Sequence, residues 1–199
     1  MRPDAAFDRA FPGPLAGVDE VGRGPLAGPV VAAAVILPMT GVPEGMDDSK
    51  KLSATARERL AALIRECALV GVGIVEAGEI DRINILQATM RAMALAVAAL
   101  PARPGHVLVD GNWLPPWDYP ATAVVKGDGR SPSIAAASIV AKVARDAIMV
   151  AAAESWPGYE WASNKGYGSA AHLRALAELG PTPFHRRSFA PVARAYRAG

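Results

Sequence analysis

The sequence predicts an α/β domain with a mixed central sheet that is flanked by helices and followed by a helical C-terminal portion. Apolar segments at residues 15–18 and 30–37 are separated by a glycine-rich turn, which places two strands next to each other. Later apolar segments alternate with helical patterns, as they do in sheets that contain parallel strands. The uninterrupted apolar composition of residues 30–37 is typical of a strand covered on both faces.

The remaining elements are predicted in chain order from periodicity and capping residues. Ser53 and Asn84 are suitable N-caps for the first two helices, because their side-chain oxygens can accept hydrogen bonds from the free amides of the first turn. The single Cys67 falls in the first helix and is expected to be a buried, reduced thiol. Strands are predicted at residues 70–75, 106–109 and 121–125, and helices at 54–68, 85–100, 133–155 and 170–179.

Length and charge narrow the class of protein only partly. The 199 residues fit one medium domain, with residues 1–14 as a loose N-terminal arm and residues 15–199 as a single domain with a C-terminal helical extension. The net charge of +2 selects no partner. Residues 134–153 form the longest alanine-rich segment, and its three charged side chains exclude a membrane span. Because no charged-then-apolar leader opens the chain, we expect a cytoplasmic location and no membrane partner.

Residues 15–29 combine two acids, an arginine and several glycines. Asp19 and Glu20 directly follow a predicted buried strand, where charges need compensation. Gly22 and Gly24 flank Arg23 and allow the backbone to approach another molecule closely, which suits a phosphate. An acidic pair before a glycine-rich turn is equally typical of a solvated strand end. This segment alone therefore leaves both interpretations open.

Carboxylates end two further predicted strands, at Asp110 and Asp128. Ligands of open α/β sheets bind beyond the carboxyl ends of the strands, so these acids and the Asp19–Glu20 pair can converge there. Clustered carboxylates need cations, and oxygen ligands favour Mg²⁺ or Mn²⁺, which predicts a site for two divalent ions. Since neighbouring strand residues point to opposite faces, Asp19 and Glu20 need a bulge or twist to reach one site.

The order of motifs along the chain resembles that of the ribonuclease HII family. The matching segments extend from residue 15 to about residue 192. They are Asp19-Glu-Val-Gly-Arg-Gly-Pro-Leu-Ala-Gly-Pro29, Asp48-Ser-Lys-Lys-Leu52, Asn84-Ile-Leu86, Val109-Asp-Gly111, Lys126-Gly-Asp128, Ile134-Ala-Ala-Ala-Ser-Ile-Val-Ala-Lys-Val143 with Arg145-Asp146, Lys165-Gly-Tyr-Gly168 and His185-Arg-Arg-Ser-Phe189.

The resemblance implies a ribonuclease H-like fold and an endonuclease that cleaves the RNA strand of RNA–DNA hybrids. It also implies incision on the 5′ side of single ribonucleotides in duplex DNA, with Mg²⁺ or Mn²⁺ held by the four acids already named. Gly22, Arg23 and Gly24 match the loop that senses the 2′-hydroxyl, and Tyr167 matches a tyrosine that packs against the sugar. The further predicted substrate contacts are Ser49, Lys50, Lys126 and Arg186.

Rival interpretations are a ribonuclease HIII-like nuclease and a non-catalytic hybrid-binding module. A metabolic phosphatase is a third interpretation, which the sequence supports less well. Arg23 favours ribonuclease HII, because the HIII loop carries lysine there. Asp146 is expected to pair with Lys142 one helical turn earlier, and His172 and His185 are expected to be structural or phosphate-facing. The expected partners are RNA–DNA hybrids and ribonucleotide-containing DNA, bound by a monomer.

Overall fold

The computed structural model describes residues 3–47, 49 and 51–198, so that the predicted contact at Lys50 lies outside the described residues. The strands are β1 (Leu15–Val21), β2 (Val30–Ile36), β3 (Leu69–Val75), β4 (His106–Asp110) and β5 (Ala121–Val124). The helices are α1 (Ala5–Arg9), α2 (Ala54–Cys67), α3 (Ala77–Ala98), α4 (Pro132–Ser155), α5 (Trp161–Asn164), α6 (Ala170–Leu179) and α7 (Ala190–Ala198), with a 3₁₀ turn at Gly127–Gly129.

The five strands form one mixed sheet in the order β3-β2-β1-β4-β5. Strand β2 runs antiparallel to both β1 and β3, whereas β1, β4 and β5 are parallel. This arrangement confirms the predicted α/β class and mixed sheet. It also brings the carboxyl ends of β1, β4 and β5 to the same edge, where the acids occur.

Helices cover both faces of the sheet. Helix α3 packs on one face, and α2 and α4 pack on the other, where the first half of α4 is buried. A Cβ on Gly17 would lie 2.1 Å from the carbonyl carbon of Ser133, so glycine at this position allows α4 to lie directly on β1. The pairing of β1 with β2 is continuous from Ala16 to Val21, so of the two irregularities considered for Asp19 and Glu20, a bulge or a twist, these strands show no bulge.

The predicted N-cap at Asn84 is confirmed, but it lies inside a longer helical segment than expected. Helix α3 begins at Ala77 and is kinked at Asn84, whose φ is 68°. The Asn84 Oδ1 atom accepts hydrogen bonds from the amides of Leu86 and Gln87 at 3.0 and 3.1 Å. The side chain therefore caps the second part of α3, as the sequence predicted for residues 85–100.

Two sequence expectations about the packing of the chain are wrong. Residues 4–11 are not a loose arm: Asp8 Oδ2 accepts hydrogen bonds from the amide and hydroxyl of Ser133, and Phe7 and Phe11 pack against a buried cluster of β4, β5 and α4. Cys67 is exposed rather than buried, because the buried face of α2 is formed by Leu60, Ala61 and Ile64. Among the described residues, no helix is long and apolar enough to cross a membrane.

Candidate active site

Asp19 and Asp110 lie side by side at the end of two parallel strands. Val18 pairs with Val109, and each acid is the next residue of its strand. Asp19 is only 7% exposed; its Oδ1 atom accepts a 2.8 Å hydrogen bond from the Glu20 amide, and its carboxylate is also bonded to Ser138 of α4. The sheet therefore fixes two carboxylates beside each other, beneath the first half of α4.

Three carboxylates at this edge influence one another electrostatically. Burial raises the pKa of Asp19 well above its usual range, and the nearby charges of Glu20 and Asp110 raise it further. Burial also raises the pKa of Glu20, although Arg23 acts in the opposite direction through a 3.3 Å ion pair. Such mutual repulsion is the electrostatic condition that a bound cation would relieve.

Asp128 lies in the 3₁₀ turn that follows β5. Gly127 of that turn donates its amide to Asp110 Oδ1 at 2.7 Å, which ties the turn to the end of β4. Asp128 itself is partly buried. Within residues 3–47, 49 and 51–198, no group of three or more acids, histidines or cysteines is arranged as a finished metal site. The joint binding of metal by all four acids thus stays a prediction.

The oxygen chemistry of these side chains fits a hard divalent cation. Asp19, Glu20 and Asp110 supply carboxylate oxygens within one electrostatically coupled group, and two of the three have raised pKa values without a cation. Arg23 is the cation paired with Glu20, and its side chain is 52% exposed. The donor set is therefore suited to Mg²⁺ or Mn²⁺.

The predicted glycine loop and the predicted tyrosine lie next to each other. Gly22 has a φ of +94°, which favours glycine, and a Cβ on Gly24 would lie 3.8 Å from Cε1 of Tyr167. The Tyr167 ring is 45% exposed. The structure thus brings together the glycine loop and an accessible aromatic face, as expected for parts of one binding surface.

Three of the predicted substrate contacts have different outcomes. Lys126 is exposed at the end of β5, so its predicted phosphate contact remains open. Ser49 is 5% exposed and its hydroxyl is 2.9 Å from that of Ser138, so the structure gives it a buried partner and its predicted substrate contact stays a prediction. Arg186 is completely buried and donates to backbone carbonyls, so the predicted direct phosphate contact is wrong.

His172 and His185 form a buried pair, which confirms a structural role. The Thr182 amide donates to His185 Nδ1 at 2.9 Å, and the two Nε2 atoms are 3.0 Å apart. Trp161 Nε1 donates to His172 Nε2, so the proton between the rings belongs to His185 and His172 Nδ1 donates to the Tyr167 carbonyl at 2.9 Å. Burial lowers the pKa of both imidazoles, that of His185 to about 4.

Two residues beneath the site were not predicted to have a role in it. Ser138 bonds to Asp19, and Arg145 is a completely buried arginine of α4 that contacts the loops. The sequence signals for Arg145 are a charge in a mostly apolar helical segment and its place in the matching Arg145-Asp146 segment. The expected pair between Lys142 and Asp146 is confirmed at 2.7 Å.

Comparison with known proteins gives one consistent family. The family model for ribonuclease HII matches residues 16–192. A ribonuclease HII from Rhizorhabdus wittichii is 62% identical over 191 residues, which cover 96% of this chain and 95% of that protein. The crystal structure of ribonuclease H2 from Pyrococcus horikoshii OT3 has a TM-score of 0.77 at 25% identity, covering 92% of this chain and 97% of that chain.

A further solved structure, Bst-RNase HIII in complex with Mn²⁺, has a TM-score of 0.76 at 22% identity and covers 100% of this chain and 74% of that chain. At that identity it is informative about the fold alone. The fold, with its acids at the ends of adjacent strands, defines a nuclease of the ribonuclease H-like class. Within that class, the chain belongs to the ribonuclease HII family. The sequence similarity favours ribonuclease HII over the HIII-like alternative.

Proposed function

We propose that this ribonuclease H hydrolyses the RNA strand of RNA–DNA hybrids and incises duplex DNA on the 5′ side of a single embedded ribonucleotide. The products would carry 3′-hydroxyl and 5′-phosphate ends. The observation that supports this most directly is the position of three carboxylates, Asp19, Glu20 and Asp110, at one edge of the sheet. Asp19 and Glu20 directly precede the glycine loop, which lies beside Tyr167. A reactive centre and a surface that can recognise a sugar are thus combined.

Asp19, Glu20, Asp110 and Asp128 would hold Mg²⁺ or Mn²⁺. When bound, the metal would supply an activated water and stabilise the charge that develops on the phosphodiester oxygens. The carboxylates themselves exclude a phosphate until their charge is compensated. Ser138 and the Glu20 amide hold the Asp19 carboxylate in place through hydrogen bonds, and Gly127 does the same for Asp110.

Recognition of the ribonucleotide is assigned to the loop and the tyrosine. The 2′-hydroxyl distinguishes RNA from DNA at a single nucleotide, and a glycine backbone can approach it more closely than a long side chain can. Gly22, Arg23 and Gly24 would present backbone groups to the sugar and its adjoining phosphate. Tyr167 would pack its exposed face against the ribose, and Lys126 would contact a neighbouring phosphate without reading sequence.

The test uses end-labelled duplexes resolved on a denaturing gel. One duplex has a single ribonucleotide, the second has the corresponding deoxynucleotide, and the third is a continuous RNA–DNA hybrid. We expect one cut on the 5′ side of the single ribonucleotide and several cuts in the hybrid, but no cut in the all-DNA duplex. A hybrid that is cleaved while the single ribonucleotide is ignored would contradict the proposed substrate range.

The remaining expectations stay predictions. Residues 15–199 would act as one catalytic domain, and the protein would act as a monomer in the cytoplasm on RNA–DNA hybrids and ribonucleotide-containing DNA, with no membrane partner. Measuring the mass of the protein in solution, with and without a bound duplex, tests the stoichiometry.

A further inference from the structure

Two arginines are completely buried beneath the glycine loop. Arg145 comes from α4, and Arg186 from the segment that precedes α7. Their guanidinium groups donate to six backbone carbonyls rather than to carboxylates. Arg145 bonds to Pro29, Lys165 and Ala27 at 2.9, 2.9 and 3.1 Å, and Arg186 bonds to Gly28, Arg23 and Gly22 at 3.0, 2.9 and 2.5 Å.

The two arginines bind successive carbonyls of the glycine loop in alternation. The carbonyls of Ala27 and Pro29 point to Arg145, whereas the intervening carbonyl of Gly28 points to Arg186. Gly28 has a φ of +83°, which allows this reversal of direction. A Cβ on Gly22 would lie 2.2 Å from Nε of Arg145, so glycine there makes space for the buried side chain.

The same contacts join the glycine loop to the tyrosine loop. Arg145 bonds to Lys165, two residues before Tyr167, and the Leu26 amide donates to the Gly166 carbonyl at 2.8 Å. On the other side, His172 donates to the carbonyl of Tyr167. Hydrogen bonds from buried polar groups therefore fix the spacing between the glycine loop and the aromatic ring.

The hydrogen bonds that hold loop carbonyls toward Arg186 also determine where the following loop amides point. In a planar trans peptide, the carbonyl of one residue and the amide of the next point in opposite directions. Because Arg186 binds the carbonyls of Gly22 and Arg23, the amides of Arg23 and Gly24 point away from it. No hydrogen bond recorded among the described residues uses either amide. Both donors are thus available on the side of the loop that faces away from Arg186.

The buried charges add an electrostatic effect. None of the ion pairs that the structure records among its described residues includes Arg145 or Arg186. Burial and the neighbouring Arg145 lower the pKa of Arg186 to about 9, and it stays protonated at neutral pH. Two positive charges in a medium of low polarity favour an anion at the outer surface of the loop.

We propose that Arg145 and Arg186 are positioning residues for ribonucleotide recognition. They orient the Arg23 and Gly24 amides, and their charges favour binding of the phosphodiester beside the 2′-hydroxyl. This inference rests on the proposed function and assigns the buried pair a part in it. Neither side chain touches the substrate. Their effect is transmitted through the six carbonyls and appears as discrimination between ribonucleotide and deoxynucleotide.

The experiment measures this discrimination by binding alone. Asp110→Asn serves as the cleavage-deficient parent, and fluorescence anisotropy gives Kd for two duplexes that differ by one 2′-hydroxyl. Arg145→Lys and Arg186→Lys are introduced separately; each keeps a cation but loses the planar fork that serves three carbonyls. Ile64→Ala, a fully buried change between α2 and the sheet, is the matched destabilised control.

We expect each lysine variant to reduce the ratio of the two Kd values by roughly tenfold, the equivalent of one lost charge-assisted hydrogen bond. Affinity for the all-DNA duplex should change by no more than about threefold, and Ile64→Ala should retain the parental ratio. Circular dichroism confirms that each variant is folded, and the two arginines are tested independently.

The possible failures are distinguishable. If the wild type does not incise the single-ribonucleotide duplex, the proposed function is wrong and this inference falls with it. If the wild type incises that duplex but the parent binds both duplexes equally, the inference alone is overturned. If the parent discriminates and the folded lysine variants discriminate equally well, the inference alone is overturned. A loss of discrimination that Ile64→Ala reproduces would show a general effect of destabilisation, which also overturns it.

Discussion

Replacing Asp19 by asparagine is expected to stabilise the metal-free protein while abolishing cleavage. The Asp19 carboxylate is buried, and Glu20 and Asp110 raise its pKa by repulsion in addition to the effect of burial. Asparagine keeps an acceptor for the Glu20 amide and can donate to Ser138, so the hydrogen bonds are preserved and the charge is removed. The change therefore isolates the electrostatic cost of this carboxylate.

The magnitude follows from Coulomb's law. Neighbouring strands are about 4.8 Å apart, and at a carboxylate separation of about 6 Å and an effective dielectric constant of about 20, each like-charged pair costs about 3 kcal/mol. The hydrogen bond from the Glu20 amide offsets part of this repulsion. We therefore expect a gain of about 1–2 kcal/mol in the free energy of unfolding, or roughly 2–8 °C in Tm.

The assay is thermal unfolding in EDTA, followed by circular dichroism. Because a carboxyl with a raised pKa in the folded state destabilises that state more as pH rises, the gain should be larger at pH 8 than at pH 5. Asp118→Asn, at an exposed position, is the matched control and should leave Tm unchanged. An Asp19→Asn protein that unfolds at a lower temperature than the wild type in EDTA would refute the reasoning.

Three further predictions concern the recognition surface, the core and the histidine pair. Tyr167→Ala should reduce cleavage at a single ribonucleotide more than cleavage of a continuous hybrid, because one sugar contact is a larger share of recognition there; kcat/KM on both substrates measures this. Gly17→Ala should cost about 3 kcal/mol or more in urea unfolding, since its Cβ would lie 2.1 Å from the Ser133 backbone. The wild type should lose about 2 kcal/mol of stability between pH 7.5 and 5 because of His185, and His185→Gln should abolish this loss. The pKa of His185 is about 4 in the folded protein and 6.5 in the unfolded chain, so the unfolded chain binds the extra proton as the pH falls. Unfolding at several pH values measures the difference.

The first two of these variants each have a control within the chain. Tyr196→Ala removes another partly exposed tyrosine, and equal losses on both substrates for Tyr167→Ala would contradict its specific role. Gly78→Ala places a Cβ where no atom lies within 4 Å, and should be tolerated. An unchanged pH dependence in His185→Gln would show that the buried pair does not titrate as inferred.

The acids could be predicted from sequence because charges that follow apolar strands are locally visible. Asp19, Glu20 and Asp110 follow short apolar segments, and the order of strands is enough to bring them to one edge. The continuation of β1 through Glu20 could not be predicted from the sequence. It depends on pairing with β2, which extends to Val21 and protects a charged segment that would be unfavourable alone.

The roles of the buried cations could not be predicted locally. Arg186 was expected to contact phosphate because arginine usually does so at a nucleic-acid surface. Its observed partners include Gly28, which lies 158 positions away in the chain, and Arg145 bonds to Pro29 at a separation of 116 positions. Only the folded loop supplies these carbonyls. The docking of α1 through Asp8 and Ser133 is likewise a long-range contact with no local signal.

The central claim is that the acids at the ends of β1 and β4 bind the divalent metal that cleavage requires. The most direct measurement is Mn²⁺ binding by titration calorimetry, paired with incision of a single-ribonucleotide duplex, for wild type, Asp19→Asn, Asp110→Asn and the control Asp118→Asn. We expect wild type and Asp118→Asn to bind Mn²⁺ and to incise only when metal is present, whereas the other two lose both properties. Incision in EDTA, or Asp19→Asn and Asp110→Asn proteins that bind metal and cleave as the wild type does, would contradict the account.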